Sequence, residues 1–468
     1  MWTNTGVCSA AAGAAVLVGA RGLRGGRAAL PARSRLVVNA TSTRIATCIL
    51  LLLGIVPLGA GAEESRPNVP SSLSLEWCLE RAREANPLLA RASAAASAAE
   101  HRIRPAGAFE DPRIAYEASN LPIGGFDFSS TPLSGHQFGL RQKLPYPGLL
   151  SNRENAARRG AEASGLRVED QVLVTDGGVE AAWSELGFSQ RALDITDRNI
   201  ALLRQLSATA ESRYRVGTGL QQDVLRAQVE LTALLQERLR REESVAQAEA
   251  RLAELLDLPH DTALPRTTAL EFAAQQPALA PLLDSLEERS ARLKAGLKQV
   301  EAAETRVRVA ELEGLPDVDL GVGYRLRQKV SGDPVDGDDF LSAGLTVRLP
   351  VDRSKWRARV SEQQALLRRA QAEYRAAHAR LVSQTRRAHA ELVRASSEEA
   401  LLETGLVPQA EQSLESSRSA YQVGRIEFLS LLDSQVRLLG AELRLVRARA
   451  DKRRAFAALE SAAGEKLR

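Results

Sequence analysis

The sequence predicts a mainly α-helical protein with a small β portion, folded as two structural repeats, each a two-stranded hairpin combined with long antiparallel helices. Three observations carry this. A motif occurs twice without a gap, as Tyr214-Arg215-Val216-Gly217-Thr218-Gly219-Leu220 and as Tyr421-Gln422-Val423-Gly424-Arg425-Ile426-Glu427. Each copy ends a very long stretch rich in Ala, Leu, Arg, Glu and Gln, which is helix-forming composition. Each of those stretches follows two short segments in which apolar and polar residues alternate, the period of a strand with two unlike faces. An internal duplication constrains the fold before any single motif does.

The first element is a leader. Residues 1–62 contain six Arg, no Lys and no acidic residue. Arg44 precedes an apolar run from Ile45 to Leu58, and Ala60-Gly61-Ala62 stands before Glu63-Glu64. Charged, apolar and A-x-A regions in that order define a secretory signal peptide, with cleavage expected before Glu63. The run is shorter than the ~20 apolar residues of a spanning helix. The net charge of +4 belongs to this leader, because the remainder carries 56 basic and 58 acidic residues. Such a body has no basic excess suited to nucleic acid. Cleavage leaves Cys78 as the only thiol, which cannot form an intrachain disulfide.

The first repeat spans residues 63–258. A helix is expected from about Leu75 to Ala108, then strands over about 112–121 and 136–145. In these strands Ile114 and Tyr116, then Phe138, Leu140 and Leu144, take one face. A helix from about Leu149 to Tyr214 follows, with Gly177-Gly178 as an expected kink. The tip lies at about 214–220, where Gly217 suits the left-handed position that ends a helix. A helix then returns to Leu256. Pro259, Pro265 and Pro281 mark a linker over 259–281.

The second repeat, 282–468, follows the same order. A helix is expected from Leu282 to Leu312, with strands over about 317–327 and 340–350. Val318, Leu320, Val322, Tyr324 and Leu326 alternate there with Asp319, Gly321, Gly323, Arg325 and Arg327. A near-continuous helix is expected from Ser354 to Tyr421, a tip over 421–427 with Gly424 in the left-handed position, and a return from Ile426 to Leu459. About 65 helical residues extend ~100 Å.

Strands of this length with one apolar face are the mark of an outer-membrane barrel, so the β portion is expected to lie in a membrane. No stretch after the leader is apolar for long enough to cross as a helix. Four strands cannot close a barrel with every backbone group satisfied in lipid, so several chains would have to complete it.

With Pro145-Tyr146-Pro147-Gly148 after the second strand, these features resemble the TolC family of outer-membrane efflux factors over nearly all of the chain after the leader. The resemblance implies a homotrimer with a twelve-stranded β-barrel in outer-membrane lipid and a periplasmic α-helical tunnel. It further implies docking, tip to tip, on a periplasmic adaptor fed by an inner-membrane pump, expected to be proton-driven. Val216, Gly217, Thr218, Val423, Gly424 and Arg425 are then the docking residues. Asp433 matches a family carboxylate that lines the closed periplasmic aperture, and Ser430 stands where the family often has a second acid. Three copies of Asp433 would form a ring that attracts cations. Phe109-Glu110-Asp111-Pro112-Arg113 and Gln142-Lys143-Leu144-Pro145-Tyr146-Pro147-Gly148 are similar to the heavy-metal branch associated with cobalt, zinc, cadmium or copper export. General drug or organic-solute export, or type I secretion, is the alternative.

No Walker loop, dinucleotide turn, zincin motif or nucleophile with a nearby His is present, so neither an enzyme nor a cofactor is expected. Met occurs only at position 1 and the five His are scattered. His378 and His389 share a helix face but stand about 16 Å apart along it, too far for one ion. Two other classes have long helical hairpins. A periplasmic adaptor would need one hairpin and a substantial soluble β domain, and a structural coiled coil would lack the strands and linker.

Overall fold

The computed structural model describes residues 69–125, 127–270, 272 and 276–467. The leader, signal peptide and cleavage site fall outside these. Where one helix was expected before the first strand there are two principal ones, α1 (Leu75–Ala85) and α2 (Pro87–His101), with a short α3 (Ile103–Gly107). Asn86 makes the break. It ends α1, and its side chain caps α2 by accepting from the Leu88 amide at 2.9 Å. Pro87 takes the first helical position, where its missing N–H has no partner to lose. Strands β1 (Arg113–Ser119) and β2 (Gly135–Leu144) follow.

Helix α4 (Leu149–Arg215) is 67 residues long and runs unbroken through Gly177-Gly178, the expected kink. At Gly177 a Cβ would make only ordinary van der Waals contact, 3.6 Å from the Ala457 carbonyl oxygen. Helix α5 (Gln221–Leu256) returns from the tip. The single helix expected from Leu282 is three: α6 (Leu279–Asp284), α7 (Leu286–Arg289) and α8 (Ala291–Glu313). Ser290 starts α8 by accepting from the Leu293 amide. Then come β3 (Asp317–Arg327) and β4 (Phe340–Arg348).

The near-continuous helix expected after β4 is divided into α9 (Arg353–Leu401), a π turn (Leu402–Leu406) and α10 (Val407–Gln422). Pro408 is the cause. It has no N–H for the Thr404 carbonyl and its ring crowds that carbonyl. The strain is taken up by one wide turn, in which the Val407 amide reaches back to Leu402 O. Helix α11 (Phe428–Ala463) closes the second repeat.

Helix α4 is the spine: α5, α8 and α11 all pack on it, and α9 packs on α8 and α11. Near the middle of the rods, Trp183 is buried among Leu73, Leu186, Leu252 and Leu256, and its indole N–H donates to Leu73 O at 2.9 Å. Asp176, fully buried on α4, accepts from Arg83 Nε at 3.1 Å and from its Nη2, while Lys466 stands 3.3 Å away. This ties the first helix and the C-terminal tail to the spine.

Cys78 is wholly buried in the same core, and burial pushes its thiol up to about 12. The folded value lies above the unfolded one of about 8.5, so the thiol's stabilising contribution is complete below that value and is lost as pH rises towards 12. Folded protein at pH about 8 should therefore resist alkylation by iodoacetamide while guanidinium-unfolded protein reacts. Equal rates in both states would contradict this.

The four strands form one antiparallel sheet in the order β1-β2-β3-β4, so the β2–β3 pair joins the two repeats. The strand limits agree with expectation to within two residues. Register aligns the alternation across the whole sheet: Ile114 opposes Leu140, Leu140 opposes Val322, and Val322 opposes Ala343. Tyr116, Phe138, Tyr324 and Leu341 form a second such row. That face is apolar and open, with Ile114 83% and Leu345 64% exposed. The other face carries Arg113 opposite Arg141 and Gln137 opposite Arg325, with the Arg325 guanidinium donating to Gln137 Oε1 at 2.7 Å. Where sheet meets helices, Asp317 is buried against Arg348 at 2.7 Å and Lys143 at 3.7 Å.

Candidate functional site

Both tips are built alike. Gly217 (φ 76°) and Gly424 (φ 77°) are left-handed, as the sequence predicted. The Gly217 amide donates to Tyr214 O at 3.0 Å and the Thr218 amide to Arg213 O at 2.9 Å. Equivalent bonds join Gly424 to Tyr421 O at 3.0 Å and Arg425 to Ala420 O at 2.9 Å. This pair of bonds is the Schellman ending, which satisfies the last carbonyls of a helix. Val216 and Val423 project from the turns, 71% and 69% exposed, beside the exposed Thr218 and Arg425.

The two tips are also joined, by a residue that motif matching passed over. Arg213 of the first tip reaches the second, where its Nη1 donates to Tyr421 O and its guanidinium lies 4.7 Å from the centre of the Tyr421 ring. Tyr421 is only 4% exposed and packs edge-on against Phe428, with centroids 5.5 Å apart. Burial, then the Asp223 carboxylate, pushes its hydroxyl above the ordinary tyrosine range, against the lowering effect of Arg213. The available signal was the asymmetry of the duplication, since Arg213 aligns with Ala420, so one repeat supplies an arm and the other a socket.

Asp433 and Ser430 stand together on the exposed side of α11. Asp433 is not a bare acid: its Oδ2 accepts from Arg437 Nε at 2.8 Å, one helical turn away. Exposed pairs of this kind contribute only ~0.3–0.5 kcal/mol to stability, so their interest is in local charge. Ser434 on the adjoining buried side bridges to Ser417 at 2.9 Å, fastening α11 to α10. The two histidines that share a face of α9 go separate ways, His389 to Pro277 O at 3.0 Å and His378 to within 3.4 Å of Glu287.

Long paired helices with duplicated tips, joined to a sheet that offers one whole face to lipid, define a subunit of an outer-membrane channel. The chain belongs to the outer membrane efflux protein family, whose profile matches residues 78–257 and 282–465. It is accordingly an outer-membrane protein with a periplasmic helical extension. It is similar to protein CyaE of Bordetella pertussis, 29% identical over 233 residues. That alignment covers 47% of this chain and 48% of CyaE, so the chain spans about half the length of this relative. Among solved structures it resembles VceC of Vibrio cholerae, with 20% identity and a TM-score of 0.71 over 84% of this chain and 97% of that one. It also resembles the CmeC outer membrane channel of Campylobacter jejuni, with 13% identity and a TM-score of 0.72 over 87% and 92% of the two chains. At these identities the likeness shows the fold.

Proposed function

We propose that this protein is the outer-membrane component of a tripartite efflux system: a homotrimer that passes solutes from a periplasmic adaptor and an inner-membrane pump to the outside. The observation that carries this is the sheet. Its apolar face is exposed along all four strands, and β1 and β4 each leave an unpaired edge, which lipid does not tolerate. Pairing β1 of one copy with β4 of the next satisfies both edges and closes a barrel of twelve strands. The rods below it then enclose a tunnel, and the duplicated tips face the adaptor. No catalytic chemistry is needed, because energy is supplied by the pump. The resemblance of Phe109–Arg113 and Gln142–Gly148 to the heavy-metal branch makes metal cations one cargo class, and drugs, organic solutes or type I secretion substrates the alternative. Extraction tests the channel: the protein should leave the membrane only in detergent, with the mass of a trimer, and a monomer in the soluble fraction would overturn the reading. Deleting the gene and measuring sensitivity to zinc, cobalt, copper and a drug panel separates the two cargo classes.

At the aperture, the Asp433–Arg437 pair makes charge reversal the sensitive test. Asp433→Ala would leave three unopposed arginines in the narrowest part of the path, and Arg437→Ala three unopposed carboxylates. Single-channel recordings should show block by multivalent cations weakened in the first and strengthened in the second. Identical block in both variants would return Asp433 to a surface ion pair.

A further inference from the structure

We propose that the helical wall carries a binding furrow for amphipathic organic anions, an inference that rests on the channel reading above. A cavity of about 790 Å³ opens between α4, α8, α9 and α11, within the range of small-molecule sites. Its floor is formed by Gly177, Gly178, Ala181, Ala388, Ala455 and Ala458. At Gly177 a Cβ would make ordinary contact at 3.6 Å, and at Gly178 it would meet nothing within 4 Å. Glycine inside a helix is destabilising, and no contact within the chain requires it at Gly178.

The rim has four guanidinium groups, from Arg292, Arg387, Arg394 and Arg454, against two carboxylates, Glu391 and Asp451. Arg292 Nε is shared between the two Asp170 oxygens at 3.1 Å, Arg394 pairs with Glu398, and Arg454 reaches Asp451 and Glu185. Because arginine has five N–H donors in a fixed fork, these pairings leave donors over. Arg387 has no carboxylate partner among the described residues. Surplus donors above an alanine floor fit a flat apolar body with one carboxylate, sulfonate or phosphate head, which charge-assisted bonds would hold.

One side of α11 carries Asp433, Arg437, Arg444, Asp451 and Ala458 at helical spacings of four and seven, so an aperture at Asp433, as proposed above, would put the furrow on the same side of the helix. The opposite side of this helix is covered, where Phe272 packs on Phe456 with centroids 4.9 Å apart and Leu282 joins them.

The test uses the full protein in planar bilayers, with naphthalene-2-sulfonate as probe and a naphthyl-trimethylammonium of the same size as its control. The sulfonate should reduce the current in proportion to occupancy, and the cation should not. Block should weaken about tenfold in Arg387→Ala, which removes an exposed donor, and in Gly178→Leu, which fills the floor. Pores of ordinary conductance in which the sulfonate has no effect, or blocks both variants like the parent, overturn the furrow and leave the channel standing. A protein that forms no pore at all overturns both.

Discussion

Gly424→Pro is expected to give a trimer that still inserts in the outer membrane and exports nothing. Proline holds φ near about −65°, whereas Gly424 sits at 77°, so the turn cannot form as it stands. The substitution also removes the amide that donates to Tyr421 O. A left-handed side chain alone costs about 1–2 kcal/mol, and here Val423, Arg425 and the socket for Arg213 move as well. The damage is local, because α4 has 67 residues and places the sheet on the order of 100 Å away. Gly217→Pro should behave alike, with normal trimer yield and lost crosslinking to the adaptor. Normal crosslinking and normal export in both variants would reduce the duplicated motif to a helix turn.

Leu345→Arg should abolish membrane insertion, while the neighbouring Thr346→Arg should be tolerated. Leu345 lies mid-strand on the apolar face, opposite Leu320, and Thr346 lies on the polar face, opposite Asp319. An arginine facing lipid near the bilayer centre costs about 2–4 kcal/mol, and a trimer bears it three times. At Thr346 the same side chain meets a carboxylate and water. Heat-modifiable trimer in outer-membrane fractions is the readout. Equal yields from the two variants would mean that the alternating face does not meet lipid.

Much of the fold was legible because it rests on periodicity. Alternation in β3 and β4 depends on residue type alone, so those strands were placed to within two residues. The glycine tips were legible for a related reason: a left-handed helix end asks for glycine whatever surrounds it, and the motif supplied it twice. Helix interruptions were less visible. Asn86-Pro87 and Pro408 stood in the sequence, but whether a proline ends a helix, starts one or is absorbed by a π turn depends on the packing around the carbonyl it crowds. Gly177-Gly178 suggested a kink, and the helix runs through it unbroken. The candidate site was legible in part: Asp433 could be aligned, but its pairing with Arg437 and the reach of Arg213 into the second tip could not.

The sequence by itself determined the two repeats, the order of strands and rods, the lipid-facing alternation and the two left-handed tips. Each follows from the backbone preferences and side-chain period of a short segment, which need no distant partner. Tertiary structure decided that β2 of one repeat pairs with β3 of the other, that Asp176 is held by Arg83 and Lys466, and that Arg213 grips Tyr421. It also left a furrow above Gly178. These depend on residues brought together from far along the chain, where the free energy belongs to the pair and not to either residue.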